Sequence, residues 1–276
     1  MEKKQSKKSK QHQVIDKLLS ICKNKNNFIF HNKTVKEVSV KCGFGNPFTA
    51  TKFDNQKLLS QTLLNEDFAV IHLGKGFHQF VKGIKKVYHQ FEPIEKEIEW
   101  KYKKSILNQY NTSESNMLSV ANNQRILHHF LFGQDTEFDD IDITKRPKTY
   151  FPHRTKSSLE YNFGNEKITC NKVQIEIDLT IEFQGIIGIF EGKNGKPISF
   201  NTIQLYHPFL YYYNANKTVE LQGKIKEIFC VYVVREKSKT YDTIKLWAYT
   251  FENPLDITTI KFIKSSAYNL INQNAQ

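Results

Sequence analysis

Ile175-Glu176-Ile177-Asp178, a short turn-like interval, and then Ile189-Phe190-Glu191-Gly192-Lys193 read as two strands of a hairpin. Side chains alternate faces along a strand, so Glu191 and Lys193 emerge on the same side. A partner strand that sets Asp178 beside them brings two carboxylates and one ammonium to a point. That set suits a divalent cation held against a phosphate. Mg²⁺ prefers hard oxygen ligands and keeps several waters, so one or two carboxylates plus a substrate phosphate suffice. The expected metal ligands are Asp178, Glu191 and the backbone carbonyl of Gly192. The ammonium of Lys193 would contact an attacking water and offset the charge that grows in a transition state.

The continuation adds to this reading. Asn194-Gly195-Lys196-Pro197 is turn chemistry that ends the second strand. Phe200-Asn201-Thr202-Ile203-Gln204-Leu205-Tyr206-His207-Pro208-Phe209 then opens a helix or an irregular connection beside the site. The Asp…Glu-x-Lys pattern resembles the PD-(D/E)xK nuclease superfamily. The pairing of E-x-K-N with a downstream Q-L-Y-x-P resembles a group of type II restriction endonucleases within it. Upstream, Arg146-Pro147-Lys148-Thr149-Tyr150-Phe151-Pro152-His153-Arg154-Thr155-Lys156 looks like a segment these enzymes carry before the catalytic hairpin. The resemblance is sharpest over residues 145–213. Ile177 stands where the superfamily name has Pro.

The resemblance implies Mg²⁺-dependent hydrolysis of duplex DNA, leaving 5′-phosphate and 3′-hydroxyl ends. Asp178, Glu191, Lys193 and Gln204 would form the catalytic set, Gln204 orienting groups around the metal. Tyr206 would lie close to the DNA backbone. Arg146, Lys148, Arg154 and Lys156 would reach phosphates or base edges, arginine being the commonest reader of guanine. A cognate methyltransferase acting on the same site is the expected partner, and a palindromic target suits a homodimer. Two other readings stay open: a repair or structure-selective nuclease of the same superfamily, and a non-enzymatic DNA-binding protein whose acids are structural.

Bland readings compete for single residues. Glu and Lys two apart on an exposed strand are usually a solvated face, but the flanking 175–181 and 185–190 are apolar and β-branched, as in buried central strands. Charges at the ends of such strands usually have a partner or a ligand. Glu176 and Glu182 share the Asp178 face by alternation and read as ordinary surface acids. Glu114, just after Ser113, suits a helix start, where an acid favours the dipole, or joins the metal site.

The net charge of +12 and pI near 9.3 favour an anionic partner, duplex DNA above all. The chain is also crowded with Lys, Asn, Ile, Phe and Tyr, a composition that AT-rich coding produces. Hydrophobic content of 39% is ample for a core. No run approaches the roughly 18 apolar residues of a membrane span, and the N-terminus lacks an apolar secretion signal, so a cytoplasmic location without membrane attachment is expected. Cys22, Cys42, Cys170 and Cys230 are scattered and read as free thiols.

Residues 1–12 read as a basic disordered tail, 13–110 as a mainly helical region with a part in DNA binding open to it, and 111–276 as the catalytic domain. Helices are expected at Val14–Ile21, Thr34–Lys41 (closed by Cys42-Gly43), Asn55–Leu64, within Ile84–Leu107 and over Ser113–Phe132. Helix-turn-helix binding or a plain scaffold fits the first of these. Phe68–Leu73 reads as a strand, and Gly74-Lys75-Gly76 as a tight turn or a DNA-backbone contact by Lys75. Gln134–Asp142 is an acidic loop. Lys226–Arg235 and Thr243–Phe251 read as strands, with Asp256–Ile263 a strand or loop closing the sheet. The expected fold is α/β of the PD-(D/E)xK type: a mixed central sheet flanked by helices, preceded by a helical N-terminal region.

Overall fold

A computed structural model describes residues 9–102, 105–106, 113–133, 142–238 and 241–272. Residues 1–8 of the expected tail and 134–141 of the expected acidic loop lie outside them. The chain divides into two compact units, each assembled from three stretches. The first takes Met1–His89, Lys156–Gln174 and Ser199–Ile203; the second takes Gln90–Thr155, Ile175–Ile198 and Gln204–Gln276. This interleaving replaces the single boundary near residue 110, because hydrophobic periodicity is local and does not say which distant segments pack together.

In the first unit, α1 (Lys10–Asn24) buries Val14, Ile15, Leu18, Leu19 and Cys22 on one stripe. The Ser9 side chain accepts the His12 N–H as N-cap, so Lys10–His12 are helical and not part of a tail. β1 (Ile29–His31) and α2 (Asn32–Lys41) follow, and α2 ends at Cys42 with Gly43 in the left-handed region. The next helix, α3 (Gln61–Glu66), starts where the Ser60 hydroxyl accepts the Leu63 N–H. That cap splits the expected 55–64 helix. The distance from α2 to α3 along the chain also removes the three- or four-residue turn that a helix-turn-helix needs.

β2 (Phe68–Gly74) and β3 (Phe77–Lys82) then form a hairpin in an antiparallel sheet of order β1-β3-β2. α4 (Ile84–Val87) and β4 (Tyr88–Gln90) continue this stretch. The first unit therefore contains a sheet and is not the mainly helical region expected.

The second unit is built on one seven-stranded mixed sheet. Its members are β5 (Glu97–Tyr102), β6 (Lys148–Tyr150), β9 (Leu179–Phe183), β10 (Ile186–Asn194), β12 (Glu227–Lys237), β13 (Asp242–Phe251) and β14 (Ile260–Asn272). They lie in the order β5-β14-β13-β12-β10-β9-β6, parallel at β10/β12 and β14/β5 and antiparallel elsewhere. To the first unit belong most of β7 (His153–Phe163) and β8 (Glu166–Ile177), which pair with each other, and β11 (Ser199–Asn201), which pairs with β4.

Glu97–Tyr102 falls in the stretch expected to contain helix, but it alternates burial with period two, and Ile98, Trp100 and Tyr102 pack against the core; that is strand behaviour. The single helix expected over 113–132 is two: α5 (Glu114–Asn123) and α6 (Ile126–Phe132), separated where Arg125 takes a left-handed φ of +61°. Within 256–263, Asp256 caps a 3-10 turn over Ile257–Thr259, and β14, a strand inside the sheet, starts at Ile260.

Met117, Leu118, Ile126 and Leu127 of α5 and α6 pack on Phe190, Val231, Val233, Leu246 and Tyr268. α7 (Ile203–Ala215) buries Leu205, Tyr206, Phe209 and Leu210, with the Tyr206 and Phe209 rings against Phe251. The fold is thus α/β, a large mixed sheet with helices packed on it. Among the described residues no helix is long and apolar enough to cross a membrane.

Leu246 is fully buried in the central cluster. Leu246→Ala is expected to lower the stability of the second unit by about 2–5 kcal/mol through lost burial and the cavity left behind. Urea unfolding followed by tryptophan fluorescence reads this, since both tryptophans (Trp100 and Trp247) belong to that unit. An unchanged transition would refute the packing described.

Candidate functional site

The ladder between β9 and β10 runs from Phe183/Ile186 to Leu179/Phe190 and stops there. On its other side β10 stays paired with β12 as far as Asn194/Arg235. Glu191, Gly192 and Lys193 therefore sit on a strand held from one edge, and Asp178, the link between β8 and β9, occupies the vacated edge. The Gly192 N–H donates to Asp178 Oδ2 at 3.1 Å. An extended residue points its N–H and C=O to the same edge, so the Gly192 carbonyl is directed into the same gap.

Alternation along β10 sorts the side chains. Phe190 and position 192 face α5, where a Cβ on Gly192 would lie 2.8 Å from Met117 Cε and 3.2 Å from Leu118. Glycine between the acid and the lysine lets α5 pack close; any larger residue there would make Met117 and Leu118 shift. Glu191 turns to the opposite face, and Gln204 in the first turn of α7 meets it: Gln204 Nε2 donates to Glu191 Oε1 at 3.0 Å. Lys193 Nζ lies 3.3 Å from Glu191 Oε1 and 3.4 Å from Glu114 Oε2.

The electrostatics follow from this placement. The Glu191 side chain is only 12% exposed. Burial first, and then the charge of Asp178, push its carboxyl up to about 8 against the opposing pull of Lys193. The Gln204 Oε1 is buried beside it with no hydrogen-bond partner. The site thus carries a proton it would release to a cation, and an unused amide oxygen.

Among the described residues no three His, Cys, Asp or Glu side chains are grouped so as to hold a metal by themselves. The donor chemistry still fits Mg²⁺, which keeps waters and needs one or two carboxylates. Asp178 and Glu191 supply these, with the Gly192 carbonyl and the Gln204 amide oxygen as further hard donors.

The structure brings together Asp178, Glu191, Gly192, Lys193 and Gln204, and adds Glu114. That acid is both the first residue of α5 and a partner of Lys193. Its position after a serine cap signals only the helix start; the ion pair comes from the tertiary fold.

The other expected residues are placed elsewhere. Tyr206 is fully buried and its hydroxyl donates to the Pro254 carbonyl, so it is a packing residue with no access to a DNA backbone. Lys148 pairs with Glu182 at 3.7 Å and Arg154 with Glu176 at 3.2 Å, which accounts for both acids as surface partners. Exposed pairs of this kind contribute little to stability and stay open to exchange. Arg146 belongs to the second unit and Lys156, exposed, to the first. All four cysteines are free thiols.

A family model described as a domain of unknown function, DUF6997, matches residues 83–269. A second domain of unknown function, DUF6996, matches residues 11–80. No curated protein and no solved structure matches the chain.

The raised carboxyl of Glu191 sets a pH dependence. Between about 4.5, its ordinary value, and about 8 the folded chain holds a proton that the unfolded chain has lost, so stability falls as pH rises through that window. Each unit of pH costs at most ~1.4 kcal/mol. Glu191→Gln is expected to flatten this slope and to be the more stable protein at pH 8 in EDTA. Urea titrations from pH 5 to 9 read the difference, and superimposable profiles would contradict the assignment.

Proposed function

We propose that this chain, which belongs to the DUF6997 family, is a Mg²⁺-dependent endonuclease of the PD-(D/E)xK type, a type II restriction enzyme acting on duplex DNA. The observation that carries the proposal is the convergence of Asp178, Glu191 and Lys193 where the β9/β10 ladder stops. Three chemistries meet there in one place: hard oxygen donors, a cation for phosphate and a carboxyl poised to shed a proton.

Asp178, Glu191, the Gly192 carbonyl and the Gln204 amide oxygen would hold Mg²⁺, which when bound withdraws charge from the phosphoryl group. Lys193 directs its ammonium at the attacking water and the scissile phosphate, where negative charge grows. Gln204 holds the Glu191 carboxylate in one orientation through its amide N–H. Water adds to phosphorus as the bond to the 3′ oxygen breaks. The proton lost by the water is balanced by one gained on the 3′ oxygen, leaving a 5′-phosphate and a 3′-hydroxyl. Glu114 keeps Lys193 near Glu191 in the absence of DNA and gives up that pairing to a phosphate.

A palindromic target, a homodimer and a methyltransferase protecting the same sequence complete the reading. Arg146, Lys148 and Arg154 are the candidates on the second unit for contacting the duplex, the latter two by exchanging Glu182 and Glu176 for phosphate.

One observation favours a second reading. Lys193 already sits between two carboxylates, as it would in a DNA-binding protein whose acid cluster is structural. Digestion of unmethylated phage DNA separates the two. Discrete fragments are expected with Mg²⁺, none with EDTA, and a rate lower by roughly 10²–10³-fold in Lys193→Ala. A smear lost in that variant would keep the nuclease and remove the restriction reading. Intact DNA under every divalent metal tried, with binding retained, would establish the second reading.

A further inference from the structure

The chain's charge is divided unevenly between its two units. The first carries twenty lysines, no arginine and eight acids, a surplus of 12 that equals the net charge of the whole chain; the second balances twenty cations with twenty acids. AT-rich coding enriches lysine along an entire gene and does not sort acids into one half of it. The asymmetry is therefore not a product of coding bias; without residues 1–8, which lie outside the described ones, the first unit still has sixteen lysines against seven acids. Arginine, the fork-shaped reader of base edges, is confined to the second.

Within the first unit, three exposed lysines from separate stretches are brought to one place. Lys75 is the central residue of the β2–β3 turn, between two glycines. A Cβ on Gly74 would lie 2.2 Å from the Asn171 carbonyl oxygen and 2.8 Å from the Val173 N, so this turn lies directly against the backbone around Lys172. A Cβ on Gly76 would lie 3.0 Å from Asn32 Nδ2 and from His31 Nε2, which puts the other side of the turn against the start of α2, beside Lys33.

Lys75 and Lys172 both hold left-handed φ, +47° and +52°, a conformation an L side chain rarely adopts. The Lys172 N–H is tied to the Ser158 hydroxyl. None of the three lysines has an ion pair among the described residues, although other lysines of the same unit do, Lys23 with Glu66 and Lys167 with Glu160. Three ammonium groups without an ion pair among the described residues, in a unit with a large positive surplus, make a surface for a polyanion with closely spaced phosphates.

We infer that Lys33, Lys75 and Lys172 form a sequence-independent contact with the phosphate backbone of duplex DNA, so that the first unit holds the duplex and leaves base reading to other residues. The inference shares its DNA partner with the nuclease reading but uses none of its chemistry. Lysine suits such a contact, since a flexible point charge neutralises phosphate without fixing sequence.

The test is fluorescence anisotropy of the full chain with a labelled duplex in EDTA, so that nothing is cut, across a range of KCl concentrations. The variant combines Lys33→Gln, Lys75→Asn and Lys172→Asn, asparagine tolerating the left-handed backbone. The slope of log affinity against log salt is expected to shrink by about 2–3 and affinity at 0.1 M salt to fall by on the order of 10²-fold. Lys217→Gln, Lys224→Gln and Lys226→Gln together, on the second unit, are expected to change neither. Lys33→Gln alone, on an exposed helix position, keeps the test open should the triple variant melt early; it is expected to lower the slope by about 1.

An unchanged slope in the lysine variants, or an equal loss in the second-unit control, overturns the inference. Cleavage that persists with an unchanged slope would sink the inference and leave the nuclease standing. A changed slope in a chain that cuts nothing would do the reverse.

Discussion

β10 is held by ladders of unequal length. Its pairing with β12 continues to Asn194, whereas its pairing with β9 ends at Phe190. The four-residue difference leaves Glu191 to Asn194 with one satisfied edge and one that must find other partners, since buried backbone groups are rarely left unpaired. Asp178 fills part of that need by accepting the Gly192 N–H. The Gly192 carbonyl, on the same edge, is directed into the opening that remains. The grouping of acid, lysine and amide at this point depends on β9 stopping where it does.

The surrounding core keeps the opening in shape. Met117 and Leu118 press on the backbone at Gly192 from one face, and Gln204 engages Glu191 from the other. The strand is thus clamped between α5 and the first turn of α7. On the α7 side the Glu191 carboxyl is buried, and that burial raises its proton affinity. Packing and protonation are linked here: the burial that accompanies the Gln204 contact also removes the water that would ionise the carboxyl.

Much of this was legible in the residues. The period of two across Glu191-Gly192-Lys193, the apolar run leading into it and the turn residues behind it locate a strand end with charges on it. Gln204 is singled out by the Q-L-Y-x-P pattern and the resemblance it carries, not by spacing alone. Other positions could not be read because their roles arise from contacts between distant segments. Tyr206 matches a pattern, yet its ring is covered by Phe251 and its hydroxyl by Pro254. Glu114 looks like a helix-start acid and is one, but α5 also carries it to Lys193. Glu97–Tyr102 mixes charge and apolar residues in a way that suits either helix or strand, and only pairing with β14 decides it.

The two matched families abut at residues 80 and 83, as if two modules had been joined in tandem. The folded units divide differently, since 156–174 and 199–203 lie inside the longer match but complete the unit that the shorter one begins. A gene cut between the two would separate the Gly74 turn from the Asn171 backbone it lies against, and the His72 carbonyl from the Cys170 thiol that donates to it. Recombination at that junction would leave the second unit whole and split the first between the two descendants. The two segments are therefore expected to travel through evolution as a linked pair, because the first unit is complete only when both are present.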